Sequence, residues 1–137
     1  GGAIYGGASS TITLEDNGSV LFYSNEVADT GSSVHGGAIC GNTNSLITLI
    51  GNGSVDFRYN SVESTKYSVY GGAVFGATAS TVTLNDNGVV SFYMNEALSS
   101  NSSAYGGAIS VYADSHITLN NNSIVEIIST KTGISIC

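Results

Sequence analysis

Proline and tryptophan are absent from the 137 residues, and only Arg58, Lys66 and Lys131 are basic. Against ten acidic residues this leaves a formal net charge of −7. The three cations make no patch, which argues against nucleic acid or anionic lipid as a partner. No apolar run reaches the ~20 residues of a spanning helix, no basic-then-apolar leader opens the chain, and no strand series suits an outer-membrane barrel. Direct membrane insertion of this segment is therefore not expected, and the chain reads as a mature or excised block. Cysteine is scarce too. Cys40 and Cys137 are too few for a disulfide framework. The sparse His, Cys, Asp and Glu form no metal-ligand cluster, and no cofactor motif is present.

What the chain has instead is glycine, 18 residues of it, spent largely on one phrase. Gly1-Gly2-Ala3-Ile4 returns as Gly36-Gly37-Ala38-Ile39, as Gly71-Gly72-Ala73-Val74 and as Gly106-Gly107-Ala108-Ile109. The interval never changes, so the chain divides into rows 1–35, 36–70, 71–105 and 106–137 without insertion or deletion. Self-similarity at a fixed period of this size marks a solenoid or a propeller. Columns agree throughout: Ile12, Ile47, Val82 and Ile117; Leu14, Leu49, Leu84 and Leu119; Val20, Val55, Val90 and Val125; Phe22, Phe57 and Phe92, followed by Ile127.

Within each row, apolar residues alternate with polar ones, as Ile12 and Leu14 do around Thr13, which is the period of a half-buried strand. The segments at 16–18, 51–53, 86–88 and 121–123 (DNG, GNG, DNG, NNS) separate two such runs, and Asn-Gly supplies the positive φ of a tight turn at low cost. Three short strands per row are expected, near 1–6, 10–15 and 19–25, followed by a ten-residue polar arm over 26–35. A propeller blade needs four strands and ~40 or more residues. The expected fold is therefore all-β: a single domain over 1–137, a right-handed parallel β-helix of four 35-residue coils. In it the Gly-Gly column bends the chain at a corner where neighbouring backbones approach closely. Asn17, Asn52, Asn87 and Asn122 form one amide column, and Asn25, Asn60 and Asn95, ending in Thr130, form another. Amides stacked in this way are expected to bond from coil to coil, in a structural role.

GGA[IVL], then NGSV, then FxxN (FYSN at 22–25, FRYN at 57–60, FYMN at 92–95) resembles the repeat of the chlamydial polymorphic outer membrane proteins and their relatives. The likeness runs through all four rows, except that IIST at 127–130 replaces FxxN in the last. It implies the β-helical passenger of an autotransporter, displayed at the cell surface, whose paired motifs are associated with adhesion. The extracellular location rests on this resemblance.

A search for chemistry yields no catalytic residue. Parallel β-helices host many polysaccharide lyases and hydrolases, so a carbohydrate-active enzyme is the alternative to weigh. Glycoside hydrolysis wants two carboxylates ~5 to 9.5 Å apart. Asp56 with Glu126, and Asp16 with Asp86, each lie two coils apart in one column, a spacing the repeat itself produces; neither pair has a basic neighbour. His35 shares its column with Tyr70 and Tyr105, where a ring is the common feature, and His116 is isolated. Cys40 and Cys137 fall in different columns, more than two coils apart. That puts them beyond the about 4.4 to 6.8 Å a disulfide allows, leaving two unpaired thiols or an intermolecular bond through Cys137. Thr13, Thr48, Thr83 and Thr118 make an exposed file that would suit ice binding, but Leu46 and His116 interrupt the file beside it.

The reading is a surface-displayed, adhesin-like or stalk module that binds and spaces without catalysis. Its partner would be a host or neighbouring cell-surface protein or glycan. Contacts are expected on the arms at 26–35, 61–70 and 96–105, which vary between rows, with Tyr67, Tyr70 and Tyr105 as possible aromatic contacts. The GGA[IVL] and FxxN residues are expected to act by building the coil. Neither the first row nor the 32-residue fourth row, still apolar at TGISIC, looks like a cap. Head-to-tail self-association into a fibre is therefore a further alternative.

Overall fold

A computed structural model describes residues 1–128 and 131–132: rows 1–35, 36–70 and 71–105 each form one turn of a parallel β-solenoid, and the described residues of the fourth row pair on the third. The first turn holds β1 (Ile4–Gly6), β2 (Thr11–Glu15), β3 (Val20–Tyr23), β4 (Glu26–Ala28) and β5 (Val34–His35). Each strand pairs in parallel with its counterpart 35 residues on, so Ile4 meets Ile39, Leu14 meets Leu49 and Phe22 meets Phe57. Five parallel sheets result, one for each strand position. The β-solenoid and the row register are as the sequence predicts. Five strands in place of three is a correction.

The two added strands come from the supposed polar arm. Its β4 and β5 positions build sheets of their own, and Val34, Val62, Val69, Ala97 and Ala104 bury a second, small core between them. Two apolar residues per arm are too few to show as alternation, yet stacked over successive rows they make a continuous buried file. The main core lies inside the other three sheets. There the Ile12, Leu14 and Val20 columns meet stacked phenyl rings, Phe22 on Phe57 at 4.9 Å and Phe57 on Phe92 at 4.8 Å. Those distances equal the ~4.8 Å spacing of strands, so the sheet register itself sets the rings in offset stacking.

Corners show why each row bends where it does. Positive φ occurs at Ser9, Asp16 and Ser24 and at their counterparts in later rows, Tyr59 and Met94 among them. The turn columns carry it on the residue before the asparagine, not on Asn-Gly as predicted. A tyrosine or methionine in the left-handed region is unusual, and the next residue explains how it is held. Each of these strained positions precedes Ser10, Asn17 or Asn25, or their counterparts, whose side chains turn inward. Asn60 Nδ2 donates to Asn95 Oδ1 (2.9 Å) and to the carbonyl of Phe22 (3.0 Å), while its Oδ1 accepts from the backbone N and Nδ2 of Asn25. Asn52 does the same with Asn87, Leu14 and Asn17. The amide thus satisfies the carbonyl that the bend removes from the ladder, in a site where Asn52 and Asn60 are fully buried. Ser45, Ser80 and Ser115 make a third such ladder, with Ser45 Oγ donating to Ser80 Oγ at 3.2 Å and Ser80 Oγ to the Asn42 carbonyl at 3.0 Å.

The fourth corner has no side chain to help. Gly36 takes φ of 58°, and a Cβ on Gly37 would fall on the carbonyl oxygen of Gly72 in the next turn. One glycine supplies the dihedral and the other the close approach. Gly53 and Gly88 serve only the second purpose, each facing the carbonyl of the glycine one row before. Thr130, Cys137 and the TGISIC finish lie outside the described residues, apart from the backbone of Lys131–Thr132 in the β4 sheet. Described residues at the two ends are more exposed than their inner copies, with Ile12 half-buried and Ile124 and Ile127 exposed.

Candidate functional site

Strand alternation puts Ile4, Ile39, Val74 and Ile109 inward and therefore turns their neighbours Tyr5, Cys40, Phe75 and Ser110 outward. Across the Gly-Gly corner, His35, Tyr70 and Tyr105 leave the β5 sheet toward the same side. They stack on one another, His35 on Tyr70 at 5.2 Å and Tyr70 on Tyr105 at 4.9 Å, which is the ring column the sequence suggests. Phe75 wedges under them, 4.6 Å from His35 and 5.7 Å from Tyr70. The two outward files are thus the walls of a groove that follows the solenoid axis.

A third file closes it. Asn42, Ala77 and Tyr112 share one column, and they complete a hollow of about 300 Å³ with Tyr5, His35, Cys40 and Phe75. A second hollow of about 330 Å³ adjoins it on the far side of Tyr112, against Tyr70 and Tyr105. Tyr112 stands edge to face with Tyr70, 6.1 Å away at 79°. Because the stacked rings cover one another's faces, the free aromatic surface belongs to Tyr5 (61% exposed) and Tyr112 (53% exposed). Polar side chains are sparse, and none of those lining the hollows is Lys, Arg, Asp or Glu. Asn42 Nδ2 donates to the Tyr5 hydroxyl (3.0 Å), and its Oδ1 accepts from Thr43 N (2.7 Å). Burial holds the His35 imidazole below its ordinary 6.5 and pushes the Cys40 thiol above its ordinary range. Neither group is charged at neutral pH. Cys40 is a buried free thiol.

Of the predicted contacts, Tyr70 and Tyr105 line this groove, at the base of the arm. Tyr67 lies on the arm tip beside Lys66, whose Nζ is 5.2 Å from the ring centre. The tips are knitted to one another, Ser99 Oγ donating to the Tyr67 carbonyl and Asn101 Nδ2 to that of Thr65. Of the motif residues, Ala38, Ile39, Ala73, Val74, Phe57, Phe92, Asn60 and Asn95 are buried inside the coil. Sequence reasoning missed Tyr5, Asn42 and Tyr112. The available signal was variation in two outward columns beside an unvarying inward one.

The carboxylate pairs lie elsewhere. Asp56 and Glu126 share the outward column of the β3 sheet, and Asp56 does have a basic neighbour, Arg58 at 3.2 Å, contrary to expectation. With 47% of the arginine side chain exposed, this bridge is worth little. Asp16 and Asp86 occupy left-handed corners. Among the described residues, no three His, Cys, Asp or Glu side chains are placed to hold a metal ion. At the end of the β3 sheet, where Tyr23, Arg58 and Tyr93 share a column, the corner residue Tyr59 stands edge to face with Tyr23 and Tyr93 at 5.6 and 5.5 Å.

Compared with protein families, with curated proteins and with solved structures, the chain matches none of them significantly.

Proposed function

We propose that the chain is a surface-displayed, adhesin-like or stalk module that binds and spaces without catalysis. One contrast carries this reading. The inward columns repeat from row to row, whereas the outward files around the groove change, from Tyr5 to Cys40 to Phe75 to Ser110. A rigid frame that carries a varied concave surface is the arrangement recognition uses. The carboxylates weighed for hydrolysis are all outside the groove lining. The resemblance of GGA[IVL] and FxxN to the polymorphic outer membrane protein repeat supports display at a cell surface, with a host or neighbouring cell-surface protein or glycan as partner.

The test is attachment. Beads coated with the purified chain are offered to epithelial monolayers and to beads coated with the chain itself. Saturable attachment to the monolayers is expected, unchanged by Asp56→Asn. Absence of attachment overturns the reading, and attachment only between coated beads moves it to a self-associating fibre subunit.

A further inference from the structure

Within the reading above, on which this inference rests, the groove has a chemistry that selects among ligands. We infer that it binds a neutral oligosaccharide laid along the solenoid axis, with Tyr5 and Tyr112 as its two stacking platforms.

Charge is the first argument. No Lys, Arg, Asp or Glu lines either hollow, on a chain of net charge −7. An anionic ligand would find no lysine or arginine side chain there and a protein of net negative charge around it, and a cation would find no carboxylate. The backbone is the second. The strands flanking the groove already spend their amides and carbonyls on row-to-row pairing, as Gly36 N does on the Tyr70 carbonyl and Ala77 N on that of Gly41. Along the groove between its end turns an extended peptide therefore finds no open sheet edge to join, the edges of that sheet lying at its two ends, β1 and Ile109–Val111.

What the groove does offer is aromatic surface interrupted by neutral hydrogen-bonding groups. Tyr5, Tyr112, Ser110 and Asn42 supply hydroxyls and an amide, and the rings supply rigid amphipathic area. A sugar ring has that same split character, with C–H groups on its faces and hydroxyls at its rim. Length favours a chain of sugars over one. Tyr5 belongs to the first row and Tyr112 to the fourth, so the platforms stand three row spacings apart, about 14 Å along the axis. The adjoining hollows of about 300 and 330 Å³ together fall in the range of ligand sites.

The full chain is screened by calorimetry against a panel of neutral α- and β-linked hexasaccharides, with glucose and hexagalacturonate as comparators. At least one neutral hexasaccharide is expected to bind with a Kd below about 1 mM, and glucose roughly tenfold more weakly or not at all. Tyr5→Ala and Tyr112→Ala should each weaken binding roughly tenfold or more, while Tyr23→Ala, an exposed ring on the β3 sheet, leaves it unchanged. Saturation transfer from tyrosine ring protons to the sugar reads the same contact in the unaltered chain, should a variant fold poorly. Three results overturn the inference: no binding across the whole panel, binding preserved in both groove variants, or preference for hexagalacturonate. Cell attachment that persists without any sugar binding overturns this inference and leaves the adhesive reading intact. Sugar binding without attachment does the reverse.

Discussion

Phe57 lies between Phe22 and Phe92 and is fully buried, so Phe57→Ala empties a volume the fixed rows above and below have no freedom to refill. It should destabilise the chain by about 3 to 5 kcal/mol, seen as a lower denaturation midpoint. If the variant kept its midpoint but lost attachment, the division between coil-building and binding residues would be wrong. His35 makes a different prediction. Burial against Phe75 and Tyr70 depresses its pKa, so the unfolded chain takes up a proton near pH 6.5 where the folded one does not. Its contribution is complete above that pH and is lost as pH falls through it and on to the folded value. His35→Tyr, which copies the ring of the next two rows, should therefore shrink the fall in Tm between pH 7.5 and pH 5.5. An unchanged fall would assign the acid sensitivity to other groups.

Glycine acts at the level of the strand pair. A Cβ on Gly37 would overlap the Gly72 carbonyl oxygen and crowd the Ser61 backbone, so two sheets would have to part to admit it. Gly7 has nothing within 4 Å of its absent Cβ. Gly37→Ala should accordingly lower Tm by roughly 5 °C or more, and Gly7→Ala should leave it within a degree or so. Equal behaviour of the two would remove close approach as the reason for the second glycine of the phrase. The corners follow a similar logic: a left-handed residue stores strain, and the Asn or Ser after it bonds the freed carbonyl, so strain and ladder are held together.

The molecule as a whole is a one-dimensional stack whose turns contact only their neighbours. Removing residues 36–70 takes out one complete turn and returns every strand to a compatible partner. That deletion should fold, cooperatively and with a lower urea midpoint. Removing 36–69 leaves Tyr70 as one extra residue at the junction of the first and third rows, while rows 71–105 and 106–137 keep their mutual register, so it should fold with a urea midpoint below that of the clean deletion. Circular dichroism with urea titration separates the outcomes, and equal midpoints for the two deletions would contradict a register set by columns.

The 35-residue interval, the parallel stacking, the inward columns and the amide ladders were legible in the sequence, because in a solenoid each residue's main neighbour is its own copy one row away. Inward-facing identity at Ile12, Leu14, Val20 and Phe22 is a direct record of that contact. Three features depended on the angles between sheets, which no column records. The arm's second core needed β4 and β5 to fold against each other before Val34, Val62 and Val69 became neighbours. Positive φ fell on Asp16 and its counterparts because Asn17 was committed to the ladder. The groove exists only because the Gly-Gly corner turns the His35 file toward the Tyr5 and Tyr112 files. A corner angle is set by packing in three dimensions, and so the groove was decided by the tertiary structure alone.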